Sequence, residues 1–281
     1  MKVAVYFTKN NQEHDRVLAA FAQGVLESQD ELIQCSLSEE HELVGDVAVV
    51  FGVYKLSVPI SSQRGAVIEL YKNAGRRVLI LEKGYLRREH YYAAGWNDLN
   101  GRADFMNQDS PSDRFNELRL ELRPYQNRPD GPVVVMGQVP WDASVQHTEH
   151  FAWLAEVCNE LLLQNIPVIV RPHPLALAAT PWIMGTERSE GPLADVLQEA
   201  RAVVTFNSNT GVDALLAGIP TFSFDRGSMV WEVSSSDLAQ LNDPTLYSRE
   251  QWADNLAYAQ WSLSEMSSGL TWAHLRPGAL P

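Results

Sequence analysis

Two short polar segments in the second half of the chain have residue types that bind phosphate. The first, Asn207-Ser208-Asn209-Thr210-Gly211, lies between the apolar run Ala202–Phe206 and a helical pattern. Ser, Thr and Asn side chains cap the N–H groups at a helix start, and those N–H groups attract phosphate. Gly211 lets a ligand come close to the backbone. Four polar residues exceed the need of one cap, so the segment predicts a phosphate-binding turn; the alternative is an ordinary cap without a ligand.

The second segment is Arg171-Pro172-His173-Pro174, which directly follows the strand pattern Val168–Val170. Its two prolines stiffen the backbone and prevent a helix or strand from continuing. Arg171 can clamp a phosphate through two parallel hydrogen bonds. His173 can donate to a phosphate or move a proton. A rigid loop with a structural histidine is the alternative interpretation.

Two further strand ends carry polar groups. Gly137 and Gln138 end the strand Val133–Met136, and Asp225 follows the strand Pro220–Phe224. Open α/β sheets bind ligands at the carboxyl ends of their strands. We therefore expect Gly137 and Gln138 to border the same site, and Asp225 or Glu232 to bind a sugar or ribose hydroxyl; a surface loop without a ligand is the alternative at the latter strand end. The predicted donor and phosphate set is Gly137, Gln138, Arg171, His173, Asn207, Ser208, Asn209, Thr210, Gly211 and Asp225.

The elements that must position these residues alternate between short β-branched runs and helical patterns. This alternation is typical of parallel sheets and predicts an α/β fold. The proline-rich stretch 124–132 marks a boundary between two Rossmann-like domains, 1–130 and 131–281, which we expect to face each other across a cleft. A helix at Arg249–Met266 is expected to pack back at the C-terminal end.

Composition limits the classes of partner. The chain of 281 residues has a formal net charge of −13, which repels nucleic acid and anionic membranes at long range. No segment approaches the ~20 apolar residues that cross a bilayer. Cys35 and Cys158 lie in apolar stretches and are expected to be buried thiols in a reducing compartment, so a cytoplasmic protein is expected.

The sequence lacks metal-binding signatures. It contains no Asp-x-Asp, and the spacing of His and Cys residues offers no zinc site. We therefore expect no metal and no cofactor beyond the substrate itself.

The block from Val168 to Val233 resembles glycosyltransferases of the two-domain type B fold. It is similar to the capsule-polysaccharide and Kdo-transferase-like group, in which a His-Pro turn and a Ser/Thr-rich turn precede an Ala-Leu-Leu-x-Gly-x-Pro segment. Here that segment is Ala214–Pro220. The resemblance implies that His173 and the turn Ser208–Gly211 hold the phosphates of a nucleotide-sugar, expected to be UDP-linked.

A wider resemblance concerns phage-encoded glycosyltransferases. It rests on Glu82–Tyr85, Asp98–Ala103, Met136–Gln138 and Arg171–Pro174. Such transferases decorate hydroxymethylated bases of phage DNA. This resemblance alone implies a hydroxymethylated pyrimidine in DNA as the acceptor, and the host cytoplasm as the location.

A transferase of this kind needs a base that accepts a proton from the acceptor hydroxyl. Asp98 is the first candidate and Glu82 the second, both expected on the acceptor side in the first domain; His173 is a third. Three alternatives stay open: a capsule or cell-surface glycan transferase, a nucleotide-sugar epimerase or hydrolase, and a non-catalytic nucleotide-binding protein.

Overall fold

The computed structural model describes residues 1–53 and 59–278. Contacts between residues divide the chain into two compact units. The first unit combines Met1–Leu118 with the chain from Ala253 onward, and the second is Arg119–Trp252. Each unit has its own sheet covered by helices, so the predicted α/β class with two Rossmann-like units is confirmed.

Strands and helices alternate along most of the chain. The first elements are β1 (Lys2–Phe7), α1 (Gln12–Leu26), β2 (Glu31–Ser36), β3 (Val47–Phe51), α2 (Pro59–Asn73), β4 (Val78–Lys83), β5 (Tyr91–Trp96) and α3 (Asp113–Glu117). The second unit contributes β6 (Val133–Met136), α4 (His150–Leu163), β7 (Val168–Arg171), β8 (Glu187–Arg188), α5 (Leu193–Glu199), β9 (Ala202–Thr205), α6 (Thr210–Leu216) and β10 (Thr221–Ser223). Then follow α7 (Glu250–Ala257), β11 (Gln260–Ser262), α8 (Leu263–Ser267) and α9 (Leu270–Leu275). In the described part of the chain, none of these helices combines the length and apolar character needed to span a bilayer.

The sheet of the first unit has six strands in the order β11-β5-β4-β3-β1-β2. Strands β1 to β4 are parallel, whereas β5 runs antiparallel to β4, and β11 antiparallel to β5. Helix α1 covers one face through Val17, Leu18 and Phe21. Helix α2 packs on the other face through Val67 and Tyr71. Burial on both faces explains the continuous apolar sequences of β3 and β4.

The sheet of the second unit has five strands in the order β10-β9-β6-β7-β8, and neighbouring strands pair in parallel. Helix α4 packs on one face through Leu154, Val157 and Leu161. Helices α5 and α6 pack on the other face through Leu197 and Ala214. Because the strands point in one direction, their carboxyl ends lie at a single edge of the sheet.

Residues 119–130 belong to the second unit, whereas the boundary expected from the sequence lay at residue 130. Gln126 donates its backbone N–H to the carbonyl oxygen of Gly218 over 2.7 Å. A Cβ at Gly218 would lie 2.1 Å from the carbonyl oxygen of Pro124, and the residue has a positive φ of 77°. Only glycine permits this close approach, which fixes the segment beside the end of α6.

The single helix expected at Arg249–Met266 is wrong. Helix α7, strand β11 and helix α8 take its place. Strand β11 pairs with β5, with Gln260 opposite Ala93. The buried side-chain oxygen of Gln260 accepts hydrogen bonds from the backbone N–H groups of Tyr85 and Leu86, each 2.8 Å long. The apolar residues of this segment have helical spacing, but local helix propensity contributes less free energy than the pairing of β11 with β5 and the hydrogen bonds of Gln260.

The two cysteines differ in their surroundings. Cys158 is buried within the second unit, and burial raises the pKa of its thiol to about 12. Cys35 is only partly buried, so the expectation of full burial is wrong for this residue. It lies on β2, which is an edge strand of the first sheet, and an edge strand has a neighbour on one side only.

A buried carboxylate connects the C-terminal segment to the first unit. The side chain of Asp30 is fully buried. It accepts hydrogen bonds from Trp272 Nε1 at 2.8 Å, from Arg276 Nε at 2.7 Å and Nη2 at 3.0 Å, and from the amine of Met1 at 2.5 Å. The hydrogen bond from Arg276 is the largest cause of a pKa well below the usual range of an aspartate.

Replacing Asp30 with Asn is expected to lower the free energy of unfolding by about 2–3 kcal/mol at neutral pH, because buried donors lose their charged acceptor. The pKa of Asp30 is depressed in the folded state, so its contribution is complete above the unfolded value of about 4 and is lost as pH falls below it. Urea unfolding at several pH values measures this. The exposed Glu69→Gln should change stability by less than about 0.5 kcal/mol. Equal stabilities of the wild type and Asp30→Asn at neutral pH would contradict the prediction.

Candidate functional site

The carboxyl ends of β6, β7, β9 and β10 bring most of the predicted site segments to one edge of the second sheet. Met136, the last residue of β6, lies opposite both Arg171 of β7 and Thr205 of β9. Thr205 lies opposite Ser223, the last residue of β10. The segments that follow these residues contain Gly137, Gln138, His173, Asn207–Gly211 and Asp225. These predicted residues therefore share one edge.

Gln138 and Asn207 form a reciprocal amide pair between β6 and β9. Gln138 Nε2 donates to Asn207 Oδ1 over 2.8 Å, and the backbone N–H of Asn207 donates to Gln138 Oε1 over 3.0 Å. Their exposed fractions are only 7% and 5%. Asn207 Nδ2 also donates to the carbonyl oxygen of Ser144, 2.8 Å away. These amides hold the strand ends and a loop together, so their first role is to shape the edge.

The turn after Asn207 uses its own backbone donors. The N–H groups of Thr210, Gly211 and Val212 bond to Ser208 Oγ, Ser208 O and Asn209 O. Ser208 Oγ also accepts from the Thr210 hydroxyl over 2.9 Å. With two donors on its oxygen, the Ser208 hydroxyl can direct its own hydrogen outward. The N–H groups at this helix start are therefore already bonded within the turn, and the Ser208 hydroxyl is a group that can donate to a ligand.

The glycines of the site are required by packing. A Cβ at Gly137 would lie 3.3 Å from the carbonyl oxygen of Arg171. A Cβ at Gly211 would lie 3.1 Å from Val230 Cγ2 and 3.3 Å from Thr205 Cγ2. All three distances are tighter than ordinary contacts, so close packing explains these glycines without a ligand.

His173 presents a defined hydrogen-bond donor. Its Nδ1 accepts a hydrogen bond from the backbone N–H of Leu175 over 3.1 Å. Burial lowers the pKa of His173, and the charge of Asp142 acts weakly in the opposite direction. The neutral ring with an occupied Nδ1 carries its hydrogen on Nε2. His173 is thus held as an N–H donor at the end of β7.

Arg171, which the sequence predicts to clamp a phosphate, bonds to a neighbouring segment of the second unit. Its Nη1 donates to the carbonyl oxygen of Gly191 over 2.6 Å, and its side chain is half-buried. In the alternation of β7, Arg171 shares a face with Ile169, which packs against the α5 and α6 side of the sheet. The guanidinium group therefore holds the segment before α5.

His147 pairs with Asp225, and no pattern in the sequence predicts this pair. His147 Nε2 lies 2.6 Å from Asp225 Oδ2, and Asp225 Oδ1 accepts from the backbone N–H of Gly227. The side chain of Asp225 is 4% exposed and that of His147 is 46% exposed. Asp225, which the sequence predicts to bind a sugar or ribose hydroxyl, thus already contacts a histidine. The loop after β6 has no periodicity in its sequence, so its polar composition was the only signal that pointed to His147.

A second histidine of this region is structural. His150, at the start of α4, accepts the backbone N–H of Gln138 on its Nε2 over 2.8 Å. Burial lowers its pKa to about 4, so the ring is neutral near pH 7. It stacks on Trp153 with ring centroids 5.3 Å apart. This contact supports the loop that carries Gln138.

The structure places Glu82 and Asp98, the two carboxylates expected to act as bases, at opposite ends of the strands of the first sheet. Strand β4 runs from Val78 to Lys83, so Glu82 lies near its carboxyl end. Asp98 follows β5, whose residue Trp96 lies opposite Leu79 near the amino end of β4. Asp98 is exposed there and accepts the backbone N–H of Leu99 over 2.8 Å. The two carboxylates are therefore not parts of one cluster.

Glu82 lies beside a buried arginine. A Cβ at Gly52, which has a positive φ of 73°, would lie 2.9 Å from Arg64 Nη1 and 3.4 Å from Glu82 Oε2. The two side chains thus converge above Gly52 at the end of β3. Burial lowers the pKa of Arg64, while the charge of Glu82 raises it. Across residues 1–53 and 59–278, there is no group of three His, Cys, Asp or Glu side chains that could hold a metal ion.

The fold is similar to that of two solved structures of KpsC from Thermosulfurimonas dismutans. The β-Kdo 2,4-transferase structure aligns with a TM-score of 0.58 and 14% identity, over 92% of this chain and 90% of that chain. The β-Kdo 2,7-transferase structure aligns with a TM-score of 0.53 and 14% identity, over 96% and 99%. No protein-family model matches the chain, and no characterised protein matches it by sequence. At this identity the similarity concerns the fold, and it confirms the fold class expected from the sequence.

A double-mutant cycle tests the amide pair. Gln138→Ala leaves the buried Asn207 without its partner, which should cost about 1–3 kcal/mol of unfolding free energy. The cycle with Asn207→Ala should give a coupling energy above about 0.5 kcal/mol. The matched control is the exposed pair Gln23–Glu27, which has a 3.0 Å hydrogen bond between the last turn of α1 and its C-cap residue and should couple by no more than about 0.5 kcal/mol. Equal coupling in both pairs would contradict a special role for Gln138 and Asn207.

Proposed function

We propose that this chain is a glycosyltransferase that binds a nucleotide-sugar in its second unit and transfers the sugar to an acceptor hydroxyl. The observation that carries the proposal is the convergence of the strand ends of β6, β7, β9 and β10. This edge gathers an N–H donor on His173, a hydroxyl on Ser208 and a histidine–carboxylate pair. Groups of this kind recognise phosphate and sugar oxygens.

The fold supports the same function. The chain aligns over most of its length with two structures named as Kdo transferases. The His-Pro turn and the Ser/Thr-rich turn, on which the sequence resemblance rests, follow β7 and β9, the two strands that flank β6 in the second sheet. Fold and local motif thus favour one family of activities, although each is compatible with more than one substrate.

The donor is proposed to lie with its phosphates toward His173 and Ser208. The N–H of His173 and the hydroxyl of Ser208 supply neutral hydrogen bonds to phosphate oxygens. Arg171 Nη1 bonds to the carbonyl oxygen of Gly191. If Arg171 binds the phosphates as the sequence predicts, other N–H groups of its guanidinium make that contact. A UDP-linked donor and transfer without a metal ion remain parts of the proposal.

For the acceptor we favour a glycan hydroxyl over DNA. The neighbours in fold are named as β-Kdo 2,4- and 2,7-transferases. The net charge of −13 opposes long-range attraction of a DNA duplex. The hydroxymethylated pyrimidine that the phage resemblance implied is therefore the second acceptor to test.

Candidates for the base in the first unit are Glu82 and Asp98. Glu82 lies at the carboxyl edge of its parallel strands, the edge at which such sheets bind ligands. Asp98 lies near the amino end of β4, so Glu82 is the better placed of the two to meet a ligand.

A thermal-shift screen against nucleotides and nucleotide-sugars tests the proposed function. A ligand present at about 100 times its dissociation constant should add roughly 2.7 kcal/mol of stability. Labelled sugar from the stabilising donor is then offered to oligosaccharides and to DNA containing hydroxymethylcytosine. Donor turnover without any acceptor product would favour an epimerase or hydrolase. Stabilisation without turnover would favour a binding protein, and the absence of any stabilisation would contradict the proposal.

Replacing His173 with Ala is expected to weaken donor binding about 10–100-fold, because one hydrogen bond to a charged phosphate contributes about 1.5–3 kcal/mol. Isothermal titration calorimetry with the donor found in the screen measures this. The matched control is His90→Ala, since His90 is exposed on the first unit, with a side chain 72% exposed. Equal affinities of wild type and His173→Ala would exclude His173 from the donor site.

A further inference from the structure

We infer that His147, oriented by Asp225, is the group that accepts the proton from the attacking hydroxyl in the proposed transfer. This inference rests on the proposed function and adds a catalytic residue that neither the sequence patterns nor the fold comparison indicated. It places the base in the second unit, together with the proposed phosphate-binding groups.

The first observation is the asymmetry of burial within the pair. The carboxylate of Asp225 is almost fully buried, whereas nearly half of the His147 side chain is exposed. A buried carboxylate requires strong hydrogen-bond donors. Asp225 has one in the backbone N–H of Gly227 and another in the imidazole N–H, 2.6 Å away. Asp225 is therefore a fixed group, and His147 is the member of the pair that a ligand can reach.

The second observation is which ring nitrogen meets the carboxylate. The contact is made by Nε2, so the neutral ring carries its hydrogen there and has a lone pair on Nδ1. The two nitrogens lie on different sides of the imidazole ring. An imidazole whose N–H is bound by a carboxylate is oriented as a base, and the carboxylate stabilises the cation that forms.

The third observation is the position of the loop that carries His147. This loop connects β6 with α4, and its Ser144 carbonyl oxygen accepts a hydrogen bond from Asn207. The His147 ring lies 5.8 Å from the ring of Phe206, measured between centroids. Asn207 immediately precedes Ser208. The loop is therefore anchored to the strand end that begins the proposed phosphate-binding turn.

The chemical step balances with these groups. The acceptor oxygen forms a bond to the anomeric carbon of the donor while its proton moves to Nδ1 of His147. The bond between the anomeric carbon and the phosphate oxygen breaks, and its electron pair leaves with the nucleotide. His147 becomes a cation next to the Asp225 carboxylate. Asp225 is a positioning residue, since it acts through His147.

The decisive variant is His147→Gln, whose side-chain amide can still donate to Asp225 but cannot serve as the base. Release of nucleotide is measured with UDP-glucose, UDP-N-acetylglucosamine, TDP-rhamnose and a nucleotide-activated Kdo, each in the presence of the oligosaccharides offered as acceptors. For the donor with the fastest release, kcat should fall about 100-fold, as expected for loss of a general base. The dissociation constant of the nucleotide should change by less than about threefold, which is ~0.7 kcal/mol.

Three comparisons make the result decisive. His90→Gln, the same substitution at an exposed site in the other unit, should retain wild-type kcat and affinity. A kcat of His147→Gln within about threefold of wild type, or a loss of activity explained entirely by weaker nucleotide binding, would overturn the inference. A loss of kcat in Glu82→Gln with none in His147→Gln would also overturn it and would assign the base to the first unit. If no nucleotide-sugar binds or turns over, the proposed function itself fails.

Asp225→Asn tests the positioning role separately. The Asn oxygen can still accept the backbone N–H of Gly227, so the loop after β10 is preserved. The Asn amide nitrogen faces Nε2 of His147 as a donor, so the ring no longer needs its hydrogen on Nε2. Nitrogen-15 NMR of the histidine rings should show the hydrogen of His147 shifting from Nε2 toward Nδ1, and kcat should fall at least about 10-fold in the folded variant. An unchanged tautomer with an unchanged kcat would show that Asp225 does not orient the ring.

Discussion

The candidate site depends on the common direction of four neighbouring strands, and on one buried amide pair that joins two of their ends. Parallel pairing alone puts the carboxyl ends of β6, β7, β9 and β10 at one edge. Gln138 and Asn207 then satisfy one another across β6 and β9, and Asn207 extends the connection to the loop at Ser144. Because both amides are buried, an unpaired one would be costly, so the pair fixes the segments that follow β6 and β9 relative to one another.

Once the edge is fixed, its polar groups divide into those that support it and those that remain for a ligand. The amides of Gln138 and Asn207 and the ring of His150 support the structure. Arg171 holds the segment before α5 through the carbonyl oxygen of Gly191. The N–H of His173, the hydroxyl of Ser208 and the Nδ1 side of His147 are oriented by neighbours, yet none of these contacts consumes the functional atom. Such preorganisation suits the proposed transfer, because the groups need no reorganisation during the reaction.

Much of the fold follows from the sequence. The alternation of apolar runs and helical patterns predicted both α/β units, and the polar segments after β7 and β9 were correctly placed at strand ends. The C-terminal segment could not be predicted in the same way, since Gln260 enters a strand only because Tyr85 and Leu86 supply partners far along the chain. The association of 119–130 with the second unit likewise depends on the close approach of Pro124 to Gly218. Long-range contacts of this kind have no local signature.

The dependence on long-range contacts also explains how much of the site the sequence could reveal. Residue types identified His173 and Ser208 as ligand-binding candidates, but they could not show that Gln138, Asn207 and Arg171 already have partners within the protein. The pair of His147 and Asp225, separated by 78 positions, needed the strand order to become visible. The most direct measurement is amide NMR of the deuterated chain titrated with UDP. The largest shift changes should occur in the loops after β6, β7, β9 and β10. Largest changes in the first unit, or in the groove near Leu120 and Leu197, would contradict a ligand site at this edge.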